Sequence, residues 1–272
     1  MAGGRHFLVT CPIDMYSSAQ VAVTTGAGRI SGPADSPKAR NAVKLTLAHF
    51  RQTGMDARLR LSGPLPRGKG MASSSVDVCA AIVATAMALG REITPPETAS
   101  IALQVEPSDG IMFPGIAMFD HRDGSLARVL GEPPPMRVMA LDFGGRVDTL
   151  AFNNVNREKI LMRLEQRLQE SLSCITTGIQ NGDPEAVARG ATISALANQE
   201  ILFKPQLEAV IELAPEVGAA GVNVAHSGTV IGMLFPDADA DLDGAVALAR
   251  EKLPGLRQTF LCRVVGGGVI PQ

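Results

Sequence analysis

Residues 66–75, "PRGKGMASSS", set two glycines and three consecutive serines directly ahead of the small-residue run "VDVCAAIVATAMALG". That run reads as a helix over about Ser73–Leu89. Glycine and serine are poor helix formers, so local stability did not select this loop. Something must sit against its backbone.

The rest of the chain supplies strands first and helices later. Phe7–Cys11 and the alternating "YSSAQVAVT" at Tyr16–Thr24 read as strands, and "GAGRISGPADSP" reads as a loop. Over Lys38–Thr53, Ala39, Val43, Leu47 and Phe50 recur at helical spacing. "DARLRLSG" is a strand, Thr94 opens a short helix that ends near Val105, and "GIAMFDH" and "SLARVLG" flank the turn "HRDG" as a hairpin. "MRVMALDF" is a further strand. Beyond Phe152 amphipathic helices occupy about 157–180, 184–199 and 205–218, followed by "GVNVAHSGTVIGMLF", a helix at Ala240–Lys252 and the strand "TFLCRVVGG". This change of texture predicts a boundary near Phe152–Asn156 and an α+β chain of two units, 1–152 and 153–272, sharing a cleft.

Bulk properties exclude several classes of partner. A net charge of -2, nine Phe, one Tyr and no Trp give neither a basic footprint nor stacking platforms, so nucleic acid is not expected. The longest apolar run is too short for a membrane span, and "MAGGRHFLVT" has no signal-peptide core. Cys11, Cys79, Cys174 and Cys262 are far apart, as expected of reduced thiols in a cytoplasmic protein.

A helix N-terminus offers unpaired N–H groups and partial positive charge, and glycines let a polyphosphate approach them closely. Hydroxyls there can ligate an accompanying Mg²⁺. The loop therefore fits a nucleotide-phosphate cradle, although a serine cap after a turn glycine is the plain alternative. The order of residues is neither GxxxxGK[ST] nor GxGxxG, because Lys69 lies between the glycines and Ser73 takes the third-glycine position. In "EPSDG", Glu106 and Asp109 bracket a Pro-Ser turn, so both carboxylates can face one cleft. Asp109 also suits a turn residue bonding its own backbone. His226, between two apolar segments, suits either a substrate contact or a structural imidazole.

The loop resembles the second motif of the GHMP small-molecule kinases: Pro, three residues, Gly-Leu-Gly-Ser-Ser. Pro66, Gly70, Ser73 and Ser74 match, with Met71 in place of Leu and Ala72 in place of Gly. "CPIDMYSSAQV", "KGMASSSVDV", "EPSDGIMFPGIAMFDH" and "GVNVAHSGTVIGMLF" are similar to the L-threonine kinase branch of that superfamily. The resemblance implies an N-terminal α+β domain and a C-terminal ferredoxin-like α+β domain with the active site between them. It implies ATP and Mg²⁺ as cofactors, L-threonine as substrate, and a role in making the aminopropanol phosphate piece of cobalamin. Pro66, Gly68, Lys69, Gly70, Met71, Ala72, Ser73, Ser74 and Ser75 would line the phosphates. Ser74 and Glu106 would hold the metal, Asp109 would act on the substrate hydroxyl, and His226 and Ser227 would lie on the substrate side. Homoserine phosphorylation and nucleotide binding without catalysis are the alternatives. The family's first motif, a Pro-Ala-Ser-Cys-Gly-Glu-like segment, does not occur ahead of "FLVTCPIDMYSS". Without it, weak Mg·ATP binding, slow turnover and self-association as a homodimer through the N-terminal edge strand are expected.

Protein-kinase tripeptides also occur in order: "AVK" at 42–44, "HRD" at 121–123, "DFG" at 142–144 and "APE" at 214–216. Their settings exclude that fold, because Lys44 falls on a helical pattern and HRD on a hairpin turn.

Overall fold

The computed structural model describes residues 6–147, 152, 155–237 and 239–271. In chain order the first part contains β1 (Leu8–Val9), β2 (Ser18–Thr25), β3 (Ile30–Ser31), α1 (Pro37–His49), β4 (Met55–Ser62), α2 (Ser73–Ala88), α3 (Pro95–Val105), β5 (Ile116–Phe119) and β6 (Ala127–Gly131). There follow β7 (Arg137–Asp142), α4 (Glu158–Asn181), α5 (Pro184–Asn198), α6 (Leu207–Leu213), β8 (Gly221–Val224), β9 (Ile231–Phe235), α7 (Asp243–Lys252) and β10 (Gln258–Arg263).

Alternation sets the first sheet. β2 and β4 pair antiparallel, with Ala57 and Leu59 turned into the core and Arg58 and Arg60 to solvent. The loop expected at "GAGRISGPADSP" contains β3, which pairs parallel with the other edge of β4. Two residues carry too little periodicity to announce a strand. α1, α2 and α3 cover this sheet through Ala42, Val43, Leu47, Val78, Ile82, Ile101 and Ala102. Alanines along α2 keep the spacing close. α3 starts as expected at Thr94, whose side chain and that of Glu97 cap each other's backbone reciprocally. A second small sheet, β1-β5-β6, holds the hairpin around residues 120–126.

The remaining sheet runs β10-β7-β9-β8, all antiparallel. With helices between β7 and β8 and between β9 and β10, this is the ferredoxin-like order expected of the C-terminal part. β7 precedes the boundary expected near 152, yet it lies between β10 and β9. The sheet therefore extends across that boundary, because the first strand of a ferredoxin-like unit must sit centrally. Asn153 and Asn154, within the expected boundary, are outside the described residues. One face of the sheet packs Met139, Leu141, Ile231 and Met233 against α6 and α7, and the other packs Val138, Leu234 and Cys262 against α5. After β10 the chain returns to the first part, where Gly267 N–H donates to the Gly115 carbonyl (2.8 Å) and Gly268 N–H to that of Ile111 (2.8 Å). Among the described residues no helix is long and apolar enough to cross a membrane.

Candidate active site

The loop ahead of α2 is built from left-handed residues at alternate positions: Gly68 (φ 72°), Gly70 (φ 87°) and Ala72 (φ 55°), the N-cap of the helix. Alternating handedness of this kind turns backbone amides toward one side and forms anion-binding concavities. Ala72 is a non-glycine residue in this region, so the surrounding structure must hold it there. No side chain caps α2 among the described residues, so the serine cap of the alternative reading does not form.

Three braces hold the loop. The Lys69 carbonyl accepts from the N–H groups of Thr229 (3.0 Å) and Val230 (3.3 Å), joining the loop to the β8–β9 turn. Gly70 presses on that turn, and a Cβ there would lie 2.4 Å from Ala225 Cβ. Arg67 donates to the Asp35 carbonyl (2.7 Å) and Ser36 Oγ (2.8 Å), tying the loop to the start of α1. Lys69, expected on the phosphates, instead pairs with Asp142 at 2.8 Å and donates to the Gly145 carbonyl at 3.2 Å. Asp142 is buried at the end of β7, so the pair spans the two parts of the chain.

α3 and the segment after it deliver the two carboxylates. Glu106 is the extended C-cap of α3 and is 6% exposed. One of its oxygens accepts from Ser74 Oγ and the other from Lys38 Nζ, at 2.5 Å. Ser108 fixes the turn, its N–H donating to the His121 carbonyl (3.0 Å) and its hydroxyl to the Glu106 carbonyl (3.0 Å). Asp109 N–H then donates to Ser75 Oγ at 3.3 Å. Ser75, expected at the phosphates, is buried, and its hydroxyl oxygen holds the backbone N–H of Asp109. Burial, and secondarily the charge of Glu106, push the Asp109 carboxyl up to about 6.

On the β8–β9 turn His226 meets His121 and Phe152 edge-on, with ring centroids 5.0 and 5.1 Å away. Burial, then the charges of His121, Arg157 and Lys204, push its imidazole down to about 3, so it is neutral. Lys204 is buried and donates to the Ala225 carbonyl at 3.1 Å, which pins the same turn. A cavity of about 1070 Å³ opens between these elements, and Gly70, Ala72, Asp109 and His226 all line it.

The chain as a whole is similar to known proteins. Residues 37–114 match the GHMP kinases N terminal domain and residues 175–253 match GHMP kinases C terminal. An L-threonine kinase from Salmonella typhimurium is 31% identical over 270 residues, covering 97% of this chain and 88% of that protein. The chain belongs to the GHMP kinase family. An L-threonine kinase from Citrobacter freundii is 29% identical, covering 98% of this chain and 92% of its own. Among solved structures, a homoserine kinase from Cytophaga hutchinsonii aligns with a TM-score of 0.75 at 16% identity, covering 96% of this chain and 90% of its own. The L. major mevalonate kinase, solved with R-mevalonate, aligns at 0.71 and 16%, covering 97% and 90%.

In this GHMP kinase Gly70, Met71, Ala72, Asp109 and His226 line that cavity, while Glu106 accepts from the Ser74 hydroxyl at the start of α2. Ser227 is half-buried on the same turn as His226. The Ser74 hydroxyl and Glu106 carboxylate are adjacent hard oxygen donors, the donor type Mg²⁺ takes when nucleotide phosphates and water complete its shell. Sequence patterns missed Lys38, Asp142 and Lys204. Lys38 had one local signal: it is a cation in the first turn of a helix that has no acidic residue there.

Proposed function

We propose that this GHMP kinase phosphorylates the side-chain hydroxyl of L-threonine with Mg·ATP, giving O-phospho-L-threonine for cobalamin synthesis in the cytoplasm. The observation that carries the reading is the convergence of Ser74, Glu106 and Asp109 at the open N-terminus of α2. The near-full-length similarity to L-threonine kinases supports threonine as the acceptor.

Phosphoryl transfer depends mainly on positioning and charge neutralisation. The amides of the 68–72 loop and the positive end of α2 would face the β- and γ-phosphates. Ser74 and Glu106 would hold Mg²⁺, which neutralises phosphate charge when bound. Asp109 would accept the proton of the threonine hydroxyl as its oxygen bonds to the γ-phosphorus and the bond to the β,γ-bridging oxygen breaks. A carboxyl held near pH 6 is well matched to that task, since a base works best when its pKa lies near the operating pH. Neutral His226 would line the acceptor side without adding charge.

The test is ADP release with L-threonine, L-serine and L-homoserine under Mg·ATP. A pocket that fits the methyl group gains about 1–3 kcal/mol over serine, so threonine should lead in kcat/KM by tenfold or more. Preference for homoserine would assign the chain to that specificity instead. ATP binding with no acceptor turned over would leave a nucleotide-binding protein.

A further inference from the structure

The geometry points to Lys38 as a catalytic residue that contacts the transferred γ-phosphate of ATP. The inference rests on the kinase reading above and adds a cation to it. Lys38 is the second residue of α1, 68 positions from the carboxylate it touches. A cation at that end of a helix opposes the macrodipole, and α1 carries no acidic residue in its first turn to offset it. The pair neutralises the buried Glu106 carboxylate, a structural role that still leaves the lysine side chain 41% exposed to an incoming ligand.

Its location has a chemical explanation. Glu106 is shared, with one oxygen on Ser74 at the start of α2 and the other on Lys38. The ammonium therefore lies one carboxylate away from the hydroxyl that marks the phosphate end of the site. The side chain of Lys38 is 41% exposed while that of Glu106 is 4% exposed, so the ammonium stands on the solvent side of the pair. An incoming phosphate would meet it there.

The loop's own cations are committed elsewhere. Lys69 is held by Asp142 and the Gly145 carbonyl, and Arg67 by Asp35, Ser36 and Asp77. Arg67 also pins the turn from which α1 and Lys38 project. The phosphate loop thus sets the position of the lysine that completes it. Charge developing on the equatorial oxygens of the transferred phosphoryl group requires a fixed cation nearby, and Lys38 is placed to supply one.

The test compares calorimetric affinities for Mg·ATP and Mg·ADP in the full chain, without threonine. Lys38→Met should weaken Mg·ATP at least tenfold and Mg·ADP less than twofold. Lys38→Arg should keep most of the preference for the triphosphate, and Lys38→Gln should behave as Met does. Thermal melts establish that each variant folds. Equal weakening of both nucleotides would make Lys38 a structural support of Glu106, and unchanged affinities would remove it from the site. Either result overturns the inference while leaving the kinase reading intact. Wild-type protein that binds neither nucleotide would overturn both.

Discussion

Gly228 passes so close to Gly70 that a Cβ on Gly228 would stand 2.3 Å from the Gly70 Cα and 2.2 Å from the Lys69 carbonyl oxygen. The glycine of the β8–β9 turn and the glycine of the loop ahead of α2 are therefore two halves of one contact. Gly228→Ala should force them apart, weakening nucleotide binding and lowering stability by about 1–3 kcal/mol, the usual cost of overpacking. Gly70→Val carries the same clash and adds backbone strain at φ 87°. Melting curves together with Mg·ADP calorimetry check both variants. A Gly228→Ala protein as stable as wild type would show that the contact is loose.

The two carboxylates should separate in function. Asp109→Asn is expected to lower kcat by ~10²-fold with nucleotide affinity nearly unchanged, as for removal of a positioned base. Glu106→Gln should instead raise the Mg²⁺ concentration needed for half-maximal rate. Steady-state kinetics across a Mg²⁺ titration distinguishes the two effects.

Asp142 and Lys69 form a largely buried ion pair, and leaving one partner alone is costly. Asp142→Asn should destabilise the protein by about 3 kcal/mol. In the double variant with Lys69→Met the loss should be clearly smaller than the sum of the single losses, which a denaturation double-mutant cycle reads directly.

His226 makes stability depend on pH in a defined direction. Its folded pKa of about 3 lies below the ordinary value of 6.5. As pH falls below 6.5 the unfolded chain takes up a proton that the folded chain refuses, so this contribution to stability is lost toward pH 3. Asp109 acts oppositely, because its raised pKa costs stability as pH rises from about 4 to 6. Comparison with His226→Gln isolates the histidine: between pH 7 and pH 5 the variant's melting temperature should fall less than that of wild type.

Much of the scaffold could be read from local pattern. The alternation in β2 and β4, the loop-to-helix junction at α2 and the hairpin around residues 120–126 each follow from neighbouring residues. β3 was illegible because two residues have no period, and its pairing depends on β4 more than twenty positions away. The central place of β7 was hidden for a related reason, since its partners come after residue 230. At the site, "EPSD" announced two carboxylates, but local spacing could not say that Lys38 would reach Glu106 or that Lys69 would be taken by Asp142. Asp142 lies at the end of the strand read at "MRVMALDF", and its charge acquires a role only once the 66–72 loop folds onto it. Long-range pairing decides which site residues meet the ligand and which hold the others in place.

The most direct test follows phosphorus itself. The protein is incubated with Mg·ATP and equal amounts of L-threonine, L-serine and L-homoserine, and the products are resolved by ³¹P NMR, with Asp109→Asn run in parallel. The account predicts that O-phospho-L-threonine is the main product, appearing in step with ADP and at least tenfold more slowly in the variant. ADP without a phosphoamino acid, a dominant homoserine product, or an Asp109→Asn protein as fast as wild type would contradict it.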